Sequence, residues 1–293
     1  MGIIVARTVL WDRMFEHQFT AKNGEEGMEN RKQLWPKDKS EPELSYFGLQ
    51  AYIGTTKHLG GFESTKELIQ LCHIGQAEHV LDVGCGVGAT ACYLAKRYGC
   101  SVVGVDVREG MVTRSRARSR KEGVADRIQF HVADAQDLPF EDALFDAVIC
   151  ESVATFIQDK QRVADEYARV TKPGGYVGLN EEVWIKTPPP AELVEFAKHT
   201  WDIESDISTS DVWLGLLEGA GLRDIVAKTY EFNARRESSQ IRRYGLEDMA
   251  RMLSKSLSLY IKSPSFREYM RERRRLPKGL FEFLGYGLFV GRR

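Results

Sequence analysis

The residues of this chain whose types and spacing suit chemistry are concentrated between Val80 and Glu151. The run Val80-Leu-Asp-Val-Gly-Cys-Gly-Val-Gly88 leads from an apolar, strand-like segment into glycines at alternate positions and then into a helix-like segment. Glycines there let the backbone turn tightly and let a ligand lie against it, while the helix start offers free N–H groups. Such a turn also suits a nicotinamide dinucleotide, and Ala89 takes the third-glycine place of a GxGxxG fingerprint, which tolerates alanine. Asp82, two residues before Gly84, weighs against that ligand, because its carboxylate repels a pyrophosphate and accepts hydrogen bonds from an ammonium group. Asp106 ends the next apolar run, about 22 positions beyond Gly84, where it can accept both ribose hydroxyls. Asp134 with Ala135 ends the third, where a carboxylate beside a backbone N–H suits the amine and ring nitrogen of adenine. Together they describe a nucleoside that carries an amino acid.

These residues need a sheet to hold them. Short apolar, β-branched runs alternate with helical stretches, which argues for βαβ units and a mainly parallel sheet. Strands are predicted at His79–Val83, Ser101–Val105, Ile128–Val132, Ala147–Cys150, Tyr176–Leu179, Ile225–Phe232 and Tyr286–Val290. Helices are predicted at Ala89–Tyr98, Glu109–Glu122 and Asp159–Val170. Ser64-Thr-Lys-Glu67 reads as a capping box opening one more helix, which ends by Gly75. The fold class is therefore α/β and Rossmann-like: a seven-stranded, mostly parallel sheet with an antiparallel edge and helices on both faces. An N-terminal helical lid and a helical insertion between the last two strands complete it. The chain divides into an arm and lid (1–75), a ligand-binding core (76–232), the insertion (233–285) and the last core strand (286–293). Residues 20–43 are polar, lack apolar periodicity and read as a mobile segment.

The insertion is far longer than a hairpin needs. Leu246, Met249, Met252, Leu253, Leu257, Tyr260 and Ile261 follow helical spacing, with Arg242, Arg243, Arg251 and Lys255 for the other side. A helical pair packed on the sheet edge is the plain expectation. A lid over the substrate, or a patch for lipid or acidic groups, is the sharper one.

The stretches VLDVGCGVG (80–88), VVGVD (102–106), VADAQDLPF (132–140), FDAVICES (145–152) and RVTKPGG (169–175) resemble the class I S-adenosylmethionine-dependent methyltransferases. Within that class the likeness is to the small-molecule branch that includes quinone, tocopherol and sterol C-methyltransferases. It covers about 100 contiguous residues in the right order, and is specific for fold and cofactor. The resemblance implies S-adenosylmethionine as cofactor, with Asp82, Gly84, Cys85, Gly86 and Gly88 around its methionine part. It also implies Asp106 and Val107 at the ribose and Asp134 and Ala135 at the adenine. Glu151 follows the fourth strand, where sheet order reverses and substrate meets cofactor, and is the candidate catalytic group. The tocopherol and sterol enzymes tend to carry a His four residues after this Glu. Here that place is Thr155, so a proton transfer assisted from that position is not expected. Tyr46 or Tyr52 can contact the sulfonium through its charge. His58, Glu181 and Trp184 are the candidates for the acceptor side.

The implied activity is methyl transfer to a small, partly apolar acceptor. A nucleic-acid methyltransferase is the alternative, suggested by Arg271-Glu-Arg-Arg-Arg275. Against it, Glu-Ser-Val-Ala after the fourth strand lacks the Asp/Asn-Pro-Pro-aromatic arrangement of many base N-methylating enzymes. The Thr155 departure leaves open a protein that holds the cofactor without turnover. No ligand spacing for a metal stands out.

The 293 residues are 43% hydrophobic and 28% charged, which excludes fibrous and wholly disordered classes, and the net charge is −1. That balance hides an asymmetry. From Arg235 onward 15 Lys+Arg face 6 Asp+Glu, a local +9 against −10 before it. Peripheral membrane contact through the basic C-terminal helices is therefore expected ahead of nucleic acid. Five cysteines without a CxxC pair, no signal-peptide pattern and no apolar run of spanning length point to a cytoplasmic protein.

Overall fold

The computed structural model describes residues 44–293 apart from 57, 77, 202, 204, 240–243, 274 and 275. The segment at 20–43 thus lies outside the described residues. The chain opens with α1 (Tyr46–Ile53) and α2 (Gly61–Leu71). Then come β1 (His79–Val83), α3 (Ala89–Tyr98), β2 (Ser101–Asp106), α4 (Glu109–Glu122), β3 (Ile128–Val132) and β4 (Phe145–Glu151). A 3-10 turn at Ala154–Phe156 leads to α5 (Lys160–Val170), β5 (Thr171–Trp184), α6 (Ala191–Trp201), α7 (Ser210–Gly219) and β6 (Arg223–Glu231). The insertion supplies α8 (Ala234–Ser238), α9 (Leu246–Lys262), α10 (Pro264–Arg273) and α11 (Leu280–Phe283) before β7 (Leu284–Arg292).

The seven strands lie in the order β3-β2-β1-β4-β5-β7-β6. Only β7 runs against its neighbours. The β7–β6 pair forms the expected antiparallel edge, with β7 second from the end because β6 crosses over first and β7 returns between β6 and β5.

Side-chain alternation splits the core into two layers. Leu81, Val83, Val103, Val105, Val148, Cys150 and Phe289 join α5 and α7 residues such as Tyr167 and Trp213 on one face. Val80, Val102, Ala147, Ile149, Leu288 and Val290 join α2, α3 and α4 on the other. Burial on both faces is why these strands read as unbroken apolar runs rather than as alternating ones.

Two local expectations fail for tertiary reasons. Helix α2 begins at Gly61, behind Gly60 in the left-handed region, and not at Ser64. Ser64 is fully buried and donates its hydroxyl to Tyr286 Oη at 3.2 Å, so the apparent capping box is spent on packing α2 against β7. Helix α9 turns its apolar stripe outward. Leu246, Leu253 and Ile261 are 87%, 71% and 66% exposed, while Met252 and Leu259 face the protein. Periodicity located the stripe but not the direction in which it points.

Candidate active site at the strand ends

Gly84, Gly86 and Gly88 all adopt left-handed backbone, with φ of 70°, 54° and 73°. A side chain on Gly84 would meet Val153 Cγ2 at 2.2 Å, and one on Gly86 would meet Thr56 Cγ2 at 2.1 Å. The loop after β4 and the segment before α2 therefore press directly on the glycine turn. At Gly88 a Cβ would meet Ser115 and Phe130 at 2.8 and 2.9 Å, so this glycine serves the packing of α3 and α4 on the sheet. Cys85 is buried, its N–H bonded to Val105 O at 2.9 Å and its thiol pushed well up by burial, which makes it an apolar filler of the turn.

Because β3, β2 and β1 are neighbours, their C-terminal ends line up Asp134, Asp106 and Asp82 beside that turn. Asp106 Oδ2 accepts from Gly86 N at 3.0 Å and Oδ1 from Arg108 N at 2.9 Å. Burial raises its pKa, and the two amides pull it back. Asp134 Oδ1 accepts from Gln136 N at 2.9 Å, with Ala135 buried beside it and Val107 at the surface. A carboxylate has room for more partners than these, so the ribose and adenine places remain open to a ligand. A tight turn with close backbone, flanked by three strand-end carboxylates, fits S-adenosylmethionine: an ammonium at the first, ribose hydroxyls at the second and an adenine amine at the third.

Glu151 ends β4 and is buried, and His58, Thr65 and Thr90 from elsewhere in the sequence converge on it. His58 Nδ1 stands 3.0 Å from Oε1, Thr90 donates its hydroxyl to the same oxygen at 3.1 Å, and Thr65 donates to Oε2 at 2.5 Å. Asn180 fastens the His58 segment by donating to Leu59 O at 2.9 Å, and Ser152 Oγ accepts from Leu59 N at 3.3 Å. An imidazole thus stands beside Glu151, from position 58 and not from position 155. Thr65 and Thr90 escaped notice because a hydroxyl near a helix start is ordinarily a local cap.

The remaining expected residues fall elsewhere. Glu181 is fully buried and caps the turn after β4: Oε1 accepts from Val153 N (3.1 Å) and Ala154 N (2.9 Å), Oε2 from Thr155 N (3.0 Å) and Thr155 Oγ1 (2.8 Å). It positions the loop that overlies Gly84. Trp184, expected at the acceptor, is buried with Leu193, Ala197, Ile203, Ile207, Leu280 and Leu284 in a satellite core. Tyr46 opens α1, but its side chain lies outside the described residues.

One contact had no sequence signal at all. Tyr244, from the insertion, accepts from Thr56 N at 2.8 Å and donates to Thr56 O at 3.1 Å, holding Thr56 on Gly86. Its ring packs with Val87 of the turn and Met111 of α4. Nearby, Glu237 accepts from Gly60 N at 2.7 Å and Lys255 donates to Tyr52 O at 2.6 Å. The insertion is thus clasped to the segment leading into the core at three points. Among the described residues no group of His, Cys, Asp or Glu is arranged to hold a metal ion.

A methyltransferase-domain family model matches residues 81–179, the stretch that holds all three strand-end aspartates and Glu151. The chain belongs to the class I S-adenosylmethionine-dependent methyltransferases. It is 33% identical to an uncharacterised Haemophilus influenzae protein over 178 residues, 60% of this chain and 70% of that one. It is 30% identical to phosphoethanolamine N-methyltransferase 1 of Arabidopsis thaliana over 61% of this chain, but spans only 35% of the plant protein. The fold is that of Haemonchus contortus phosphoethanolamine N-methyltransferase 2, solved with phosphomonomethylethanolamine and S-adenosylhomocysteine, at a TM-score of 0.64 and 20% identity over 84% of this chain and 57% of that one.

Proposed function

We propose that this chain transfers a methyl group to a small, partly apolar acceptor, with the Glu151–His58 pair receiving the proton that the acceptor gives up. The observation that carries this reading is the buried carboxylate at the β4 terminus with His58 Nδ1 3.0 Å from it. Bound S-adenosylmethionine supplies a methyl on a sulfonium, which leaves by in-line displacement. The protein's part is then to position the acceptor, exclude water and take a proton. Glu151, fixed by Thr65 and Thr90, holds Nδ1 protonated and leaves Nε2 as the basic nitrogen of His58. As the acceptor–methyl bond forms and the methyl–sulfur bond breaks, the acceptor's proton passes to Nε2, and the Glu151 charge offsets the resulting imidazolium.

The names of the relatives support a small acceptor, since the plant and nematode enzymes are named for phosphoethanolamine. The five buried, free cysteines support a reducing, cytoplasmic setting. The test is release of S-adenosylhomocysteine with acceptors pooled by class: amines and phosphoamines, phenols, isoprenoids, thiols and RNA. Release with one small-molecule pool is expected. Cofactor binding with silence from every small-molecule pool, or release with RNA alone, overturns the reading.

A further inference from the structure

Thirteen large hydrophobic side chains are exposed among the described residues, and eight of them lie between Leu246 and Phe281. Six of the eight, Leu246, Met249, Leu253, Leu257, Tyr260 and Ile261, recur every three or four residues along α9 and so form one stripe about four turns long. The helix is held to the body by the opposite side, through Leu259 against Leu49 and Phe266, Met252 beside Tyr244, and Lys255 on Tyr52 O. Its apolar side is therefore the one turned to solvent, the reverse of an ordinary surface helix. Contiguous apolar surface of this kind marks a docking face.

The charges around the stripe say what docks there. At its start the acids Glu247 and Asp248 are taken by Lys121 (2.7 and 3.6 Å) and by Arg251, which stands 2.5 Å from Asp248. At its end Lys262 is exposed, and Arg267 is anchored on Tyr260 O and Ile261 O at 2.7 and 3.0 Å. The start of a leucine-rich stripe is thus neutralised and its end carries cations, in a C-terminal region of net +9 on a chain that is otherwise net −10. We infer that the α9 stripe lies on an anionic lipid surface, its leucines in the acyl boundary and Lys262 and Arg267, at its C-terminal end, among the headgroups. A nucleic acid would leave the leucines facing phosphate. The inference goes beyond methyl transfer and does not depend on it. It also places a source of partly apolar acceptors beside the clasp over the cofactor turn.

The test is flotation of the full chain with vesicles of phosphatidylcholine alone and of phosphatidylcholine and phosphatidylglycerol in equal parts. The protein is expected to float with the anionic vesicles and hardly with the neutral ones, and raised salt should weaken binding without abolishing it. Leu253→Asp/Leu257→Asp should lower the bound fraction about tenfold or more, with cofactor affinity and thermal melting unchanged. Lys262→Glu should blunt the preference for anionic vesicles. Absence of flotation with both compositions overturns the inference, as does undiminished flotation of the double variant. Self-association by light scattering that the double variant abolishes, without flotation of the wild type, assigns the stripe to a second copy of the chain and overturns it equally. None of these readouts uses S-adenosylhomocysteine release, so the two proposals fail separately.

Discussion

His58 Nδ1 faces Glu151 Oε1 at 3.0 Å, joining the segment before α2 to the end of β4 across the cofactor turn. If that pair takes the acceptor's proton, Glu151→Gln and His58→Asn each lower kcat about a hundredfold. The cofactor Kd should stay within a few-fold. The double variant should be no slower than the slower single one, since the two act as a unit. The kcat–pH profile checks the assignment, because His58→Asn should erase its acidic limb. Additive losses, or an unchanged profile, would refute it.

Tyr244 reaches the cofactor turn in two ways, through its hydroxyl on Thr56 and through its ring on Val87. Tyr244→Phe keeps the ring against Val87 and Met111 but leaves the Thr56 N–H without its phenol partner, a loss of about 1–2 kcal/mol. We expect S-adenosylmethionine to bind about fivefold to tenfold more weakly, mainly through faster dissociation, and the melting temperature to fall by about 2–6 °C. Titration calorimetry and stopped-flow release separate these effects.

Glu181→Gln should be costly although it removes only a charge. The carboxylate accepts from three backbone amides and one hydroxyl, and an amide nitrogen put in place of either oxygen would face donors. Chemical denaturation should show a loss of about 2–4 kcal/mol. Glu181→Asp, which keeps acceptors alone, should retain part of it.

Two histidines make stability depend on pH. Burial lowers His79 and His131 to about 4 each, opposed at His79 by its bond to Leu144 O and reinforced at His131 by Arg116. Both stay neutral in the fold while the unfolded chain takes up protons near pH 6.5. Their contribution is complete above about pH 6.5 and is lost as pH falls towards 4. The melting temperature should fall by about 5 °C between pH 7 and 5, and His131→Gln should flatten that slope.

Much of this arrangement is local and therefore readable in advance. The boundaries of α3 and α4 match their helical stretches, and Asp82, Asp106 and Asp134 stand where apolar runs end. What escaped depends on contacts between distant segments. His58 meets Glu151, and Tyr244 meets Thr56, only after the chain has crossed the sheet. The Ser64 motif failed because Tyr286, on the last strand, competes for the hydroxyl. Strand alternation likewise could not show that the Glu181 carboxylate turns back to the loop after β4.

The clasp between insertion and leading segment has a kinetic meaning. Tyr244 on Thr56, Glu237 on Gly60 and Lys255 on Tyr52 tie together two pieces of chain that flank the core at opposite ends of the sequence. Neither can swing away from the glycine turn while these bonds hold. Cofactor loading and product departure are therefore expected to depend on breaking these bonds, and so on the last fifth of the chain as well as on the motif expected to hold the cofactor.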